Sequence, residues 1–66
     1  MQISKQKIEL LQARKRLSGT VFAERAGLSR QSLSTMKRRG TCSPISAAKL
    51  ATGLGVDVSE ILTMPA

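Results

Sequence analysis

The sequence predicts an all-α fold of five short helices. Apolar residues recur at the period of a helix, and the strict β-branched alternation of a half-buried strand is absent. Each apolar run opens behind a residue suited to capping: Ser4, Ser18, Ser29, Ser43 or Asp57. Three of the runs close on a glycine, at positions 27, 40 and 55, where a left-handed residue ends a helix at little cost.

The first helix is expected from Ser4, its N-cap, to about Lys15. Ile8 and Leu11 share its inner face, and Arg14, Lys15 and Arg16 crowd the last turn, where cations meet the negative end of the macrodipole. Leu17 is expected to point inward from the connection. The second helix runs from about Gly19 to Ala26 behind Ser18, with Phe22, Ala23 and Ala26 inward and Gly27 as its stop.

The third helix starts behind Ser29, runs to about Arg38 and ends at Gly40. Leu33 and Met36 form its inward pair. At ~100° per residue, that setting points Gln31, Ser34, Thr35 and Arg38 outward and leaves Arg30 to one side. The outward face carries hydrogen-bonding groups and no acid.

The fourth helix spans about Pro44 to Leu54. Ser43 is its cap, Pro44 suits the first helical position, and Leu50, Ala51 and Leu54 make the apolar face. Gly53 within it costs up to ~1 kcal/mol against Ala, and marks either close packing or a weak end. Gly55 closes it. A fifth, short helix is expected from about Val58 to Thr63. Asp57 and Glu60 fit a capping box in outline, Ile61 and Leu62 supply apolar contacts, and Pro65 stops it.

Composition narrows the partner. The 66 residues make one domain, with little room for an enclosed active-site cavity. Lys and Arg total 11 against 4 acids, with no His, so the net charge is +7 and the pI about 11.0. That balance points to a polyanion. One cysteine, Cys42, cannot staple the fold, and without His it excludes a zinc finger. No metal or other cofactor is expected. Single-strand and RNA binders stack bases on aromatic rings, and Phe22 is the only aromatic residue, so duplex DNA is the better polyanion.

Other classes fit poorly. No apolar run approaches the ~20 residues of a membrane span, and the N-terminus lacks the apolar core of a signal peptide. The expected location is cytoplasmic, beside the nucleoid of a bacterial or phage-infected cell. A membrane-active helix is interrupted by the three glycines and lacks Trp anchors. Catalysis lacks His, has scattered acids, and gives Cys42 no partner, so an enzyme is not expected. Two expectations stand for the chain's extent: a complete small protein, for which Met1 and the ending at Ala66 speak, or a domain trimmed from a longer regulator.

The stretch from Ser18 to Arg38 carries the functional signal. Small Ala23 allows two helices to cross closely, and Gly27 permits a sharp turn. Leu28 and Leu33 fill the angle between the helices. Such a pair, crossing at ~90–120°, is a helix-turn-helix. With the tail from Pro44 to Leu62, including the step Leu54-Gly55-Val56, the chain resembles the phage repressor and Cro-like (XRE-type) family of bacterial and phage regulators. The resemblance covers about Lys7 to Leu62.

That resemblance implies a compact five-helix bundle of the lambda repressor-like type, with its third helix in the major groove. Carried over by position, the base readers are Ser29, Arg30, Gln31, Ser34 and Thr35. Arg30 suits guanine O6 and N7, and Gln31 suits adenine N6 and N7. Phosphate contacts are expected from Ser18, Gly19 and Thr20 at the start of the second helix. More are expected from Lys37, Arg38, Arg39, Thr41 and Ser43 in the basic loop. The family often carries Gln where this chain has Gly19. It often joins its first and third helices by an Arg–Glu pair, where this chain has Gln12 and Lys37.

The implied activity is sequence-specific transcriptional regulation, as a repressor of phage, mobile-element or bacterial origin. The implied assembly is a homodimer on a pseudo-palindromic operator. Val58, Ile61, Leu62 and Met64 are the candidates for its contact, and the alternative is that they only complete the monomer core. An activator on the same fold, or an antitoxin-like protein-interaction module, is the alternative.

Overall fold

Four serine hydroxyls open four helices. In turn, Ser4, Ser18, Ser29 and Ser43 each accept a hydrogen bond from the backbone N–H three residues on. A computed structural model, which describes residues 1–63, places behind them α1 (Lys5–Arg14), α2 (Gly19–Ala26), α3 (Arg30–Arg39) and α4 (Pro44–Leu54). Gly27, Gly40 and Gly55 take left-handed φ values of 70°, 72° and 69° and close α2, α3 and α4. α1 ends without a glycine. Arg16 takes the left-handed turn instead (φ 54°), and Gln12 Nε2 steadies it by donating to the Leu17 carbonyl at 3.1 Å.

The fold is a compact all-α domain of four helices and one 3₁₀ turn, with no sheet among the described residues. The fifth helix expected over 58–63 is therefore corrected: only Val58–Glu60 is helical, and it is 3₁₀. Asp57 caps this turn through Ser59, accepting from its N–H at 3.0 Å and its hydroxyl at 2.6 Å, rather than in exchange with Glu60. These bonds to Ser59 hold the Asp57 carboxyl below its ordinary pKa. The segment then leaves the helical path because the N-terminus claims its backbone. The Ile61 carbonyl accepts from Ser4 N–H at 2.8 Å, and Thr63 N–H donates to the Gln2 carbonyl at 3.2 Å.

That N-terminal segment is an element the sequence reading did not anticipate. Residues Met1 to Ile3 run extended between the loop after α3 and the tail after the 3₁₀ turn, in isolated antiparallel bridges Gln2–Thr41 and Ile3–Leu62. Ile3 is buried with the core. The rest of the core is Ile8, Phe22, Ala23, Ala26, Leu33, Ala47, Leu50, Ala51, Leu54 and Ile61. Full burial of a side chain the size of Phe22 stabilises by roughly 1.5–3 kcal/mol. α2 packs most extensively on α4. Gly53 marks that close approach and not a weak helix end.

Candidate nucleic-acid interface

α3 is anchored by one apolar stripe and is otherwise turned outward. Leu33 is buried and Met36 packs at the edge of the core, while Arg30, Gln31, Ser34, Arg38 and Arg39 are exposed and Thr35 is half-buried. The helix contains no acid. Its flanks divide the candidate base readers. Gln31 and Thr35 line a shallow cleft of about 400 Å³ with Leu28, Ser32, Met36 and Ser46, between α3 and the start of α4. Ser34 lies on the neighbouring flank of the same outward face, in a shallow depression shared with Lys5, Glu9, Lys37 and Arg38.

Ser29 is occupied as a cap. Its Oγ accepts from Ser32 N–H at 3.0 Å and donates its proton to Ser32 Oγ at 2.9 Å. Ser43 repeats the arrangement with Ser46, at 3.2 Å and 3.1 Å. Ser18 Oγ accepts from Val21 N–H at 3.2 Å, and the amides of Gly19 and Thr20, in the first turn of α2, have no intrahelical acceptor.

The basic loop is pinned. Gly40 N–H donates to the Met36 carbonyl at 2.8 Å, and Ile3 N–H donates to the Gly40 carbonyl at 2.9 Å. Cys42 N–H donates to the Met1 carbonyl at 2.9 Å, and the Met1 ammonium donates to the Cys42 carbonyl at 2.8 Å. Arg39, Thr41 and Ser43, all exposed, are thus held on a braced backbone that also brings in the N-terminal charge. Burial pushes the Cys42 thiol above its ordinary pKa, against the smaller opposing pull of the N-terminal ammonium.

Lys37 does not stand free with its neighbours. Its ammonium lies 3.8 Å from Glu9 Oε1, with the side chain only 19 % exposed, and so ties α3 to α1. Gln12 and Lys37 stand where an Arg–Glu pair between the first and third helices is missing. Glu9, three residues before Gln12, restores a link of the same kind. Glu9 also lies 4.0 Å from Lys5 on α1.

Among the residues expected at a dimer contact, Ile61 is fully buried within the protomer, so it is a core residue and not a surface one. It is drawn in because the 3₁₀ turn packs onto α4. Val58 and Leu62 are half-buried against the core, and Met64 lies outside the described residues. One residue beside α3 was missed: Ser46, which lines the cleft with Gln31. Ser46 stands three residues after the Ser43 cap, and that spacing was the signal available for it.

The fold and surface together define a class: a small all-α domain with a basic, acid-free helix face flanked by two helix N-termini. Among the described residues, no helix is long and apolar enough to cross a membrane. Comparison with protein-family models, with curated proteins and with solved structures finds no match to this chain.

Proposed function

We propose that this chain is a sequence-specific, double-stranded DNA-binding domain of the helix-turn-helix type and acts as a transcriptional repressor. α2 is the supporting helix, and α3 enters the major groove with its N-terminal half at the base edges. The observation that carries the reading is the face of α3. Leu33 fixes which side is buried, and the other side offers Arg30, Gln31, Ser34, Thr35 and Arg38 without a single carboxylate on the helix.

Within that face, Gln31 and Thr35 are the central readers. Gln31 presents the paired donor and acceptor that match adenine N6 and N7. Arg38, Arg39, Thr41 and the amides opening α2 and α4 flank them and suit phosphates. A net charge of +7 supports a large salt-dependent component of the affinity. A domain this small covers one half-site. Two copies on a pseudo-palindrome, with half-sites ~34 Å apart, complete the reading, with Val58 and Leu62 at the contact. Repression then follows from occlusion of a promoter in the cytoplasm of a bacterial or phage-infected cell.

The test is selection of duplexes from a random pool at ~150 mM salt, followed by competition with scrambled DNA. A recovered palindrome supports the full reading, and a single recovered half-site keeps the recognition helix but removes the dimer. Gln31→Ala is expected to cost about 1–3 kcal/mol on the selected duplex and to relax preference at one base pair. Absence of any enrichment would overturn the reading in favour of a protein-interaction module.

A further inference from the structure

Gly19 opens α2, and Arg30 opens α3. A Cβ built on Gly19 would stand 3.5 Å from Arg30 Nη2, 3.6 Å from its Nε and 3.9 Å from its Cζ. The guanidinium therefore lies back against the bare backbone that begins α2. No carboxylate holds it there, since the ion pairs among the described residues join Glu9 to Lys5 and to Lys37. The backbone does not require glycine at this point either. The left-handed glycines are 27, 40 and 55, and Gly19 has ordinary helical geometry. What the glycine supplies is space. An alanine methyl would sit in ordinary contact with the guanidinium, whereas any longer side chain would claim its volume.

We infer that Gly19 is a specificity-determining residue that sets the reach of Arg30. With nothing at position 19, Arg30 folds back toward α2 and serves the sugar–phosphate backbone, so base reading begins at Gln31. The first residue of α3 is the one whose chemistry best suits guanine, and here it carries little sequence information. This inference rests on the DNA-binding reading above and deepens it.

The experiment compares wild type, Gly19→Gln, Arg30→Ala and the double variant in random-pool duplex selection. Affinity for the selected and scrambled duplexes is then titrated over salt. Arg30→Ala in the wild-type background is expected to weaken both duplexes by the same factor. It should lower the salt slope by about 1 and leave the selected consensus unchanged. Gly19→Gln pushes the guanidinium forward. It should gain a guanine preference at one base pair, on the order of 5- to 150-fold, which disappears in the double variant. Thermal unfolding of each variant separates a lost fold from a lost contact. A consensus unchanged by Gly19→Gln, or a base preference erased by Arg30→Ala alone, overturns the inference while leaving DNA binding intact. Failure of the wild type to enrich any duplex overturns the DNA reading itself.

Discussion

Gly53 of α4 lies directly on Ala26 of α2. A Cβ at position 53 would stand 3.0 Å from both the Cβ and the backbone nitrogen of Ala26, and 3.1 Å from its Cα. Two small residues set the distance between the helices that share the most contact. Ala26 also ends just before the Gly27 turn that leads into α3, so this packing fixes where the candidate recognition helix begins.

Gly53→Ala should therefore destabilise the domain. In an exposed helix the same change gains about 0.5–1 kcal/mol, because alanine loses less backbone entropy. Here the methyl meets helix backbone, which gives way only if α2 and α4 separate, and overpacking of that kind costs about 1–3 kcal/mol. The second effect outweighs the first. Thermal or urea unfolding should show a net loss of about 0.5–2 kcal/mol. A stabilised variant would mean that the helices yield freely at this contact.

The Cys42 thiol gives a prediction with a definite sign in pH. Burial raises its pKa in the folded chain. A thiol raised in this way binds its proton more tightly when folded than when unfolded. Its contribution to stability is thus fully present below the ordinary thiol value of about 8.5, and is lost as pH rises through the folded value. Stability should fall in alkaline solution, and Cys42→Ser should blunt that fall. Alkylation by iodoacetamide at about pH 8 should also be slower in the folded chain than in denaturant, since the thiolate is the reacting species. Equal alkylation rates would contradict a thiol protected by burial.

The four helices were legible because each carries its own punctuation. Ser18 and Gly27 bound α2, Ser43, Pro44 and Gly55 bound α4, and caps of this kind act within one turn of the chain. What failed depended on distant pairing. Ile61 and Leu62 read as the apolar contacts of a short helix, yet their backbone is claimed by residues some sixty positions earlier. Ile3 gave no periodic signal, because a lone apolar residue before a helix has no neighbours to make a pattern. The outward face of α3 followed from the inward pair Leu33 and Met36. Its division into a Gln31–Thr35 side and a Ser34 side, and the folding back of Arg30, depend on what α1, α2 and α4 bring alongside.

Ile3 is therefore a sharp test of the N-terminal brace. Its side chain is 3 % exposed, and truncating a buried isoleucine to alanine costs about 2–5 kcal/mol. A domain of this length has about 3–10 kcal/mol in all, so Ile3→Ala should lower the melting temperature by many degrees. The backbone bonds from Met1 and Ile3 to Gly40 and Cys42 belong to the same brace. Amide exchange in the loop from Thr41 to Ser43 should rise before exchange in α2 and α4. Uniform exchange across the chain would show that the segment is not a separate brace.

The pairing of Lys37 with Glu9 separates the basic residues at the end of α3 into two kinds. A cation already 3.8 Å from a carboxylate, with its side chain 19 % exposed, has less charge to offer a phosphate than the exposed Arg39 in the same turn. Arg39→Ala should weaken selected and scrambled duplexes alike and reduce the salt slope by about 1. Lys37→Gln should change that slope less. It should act mainly on stability, by no more than about 1 kcal/mol for a pair whose carboxylate partner is half exposed to solvent. Glu9→Gln frees Lys37, so it should tighten non-specific duplex binding at low salt, an effect that fades as salt is raised. Slopes measured for the three variants decide the matter: if Lys37→Gln lowers the slope as much as Arg39→Ala, the ammonium leaves Glu9 for the DNA backbone on binding.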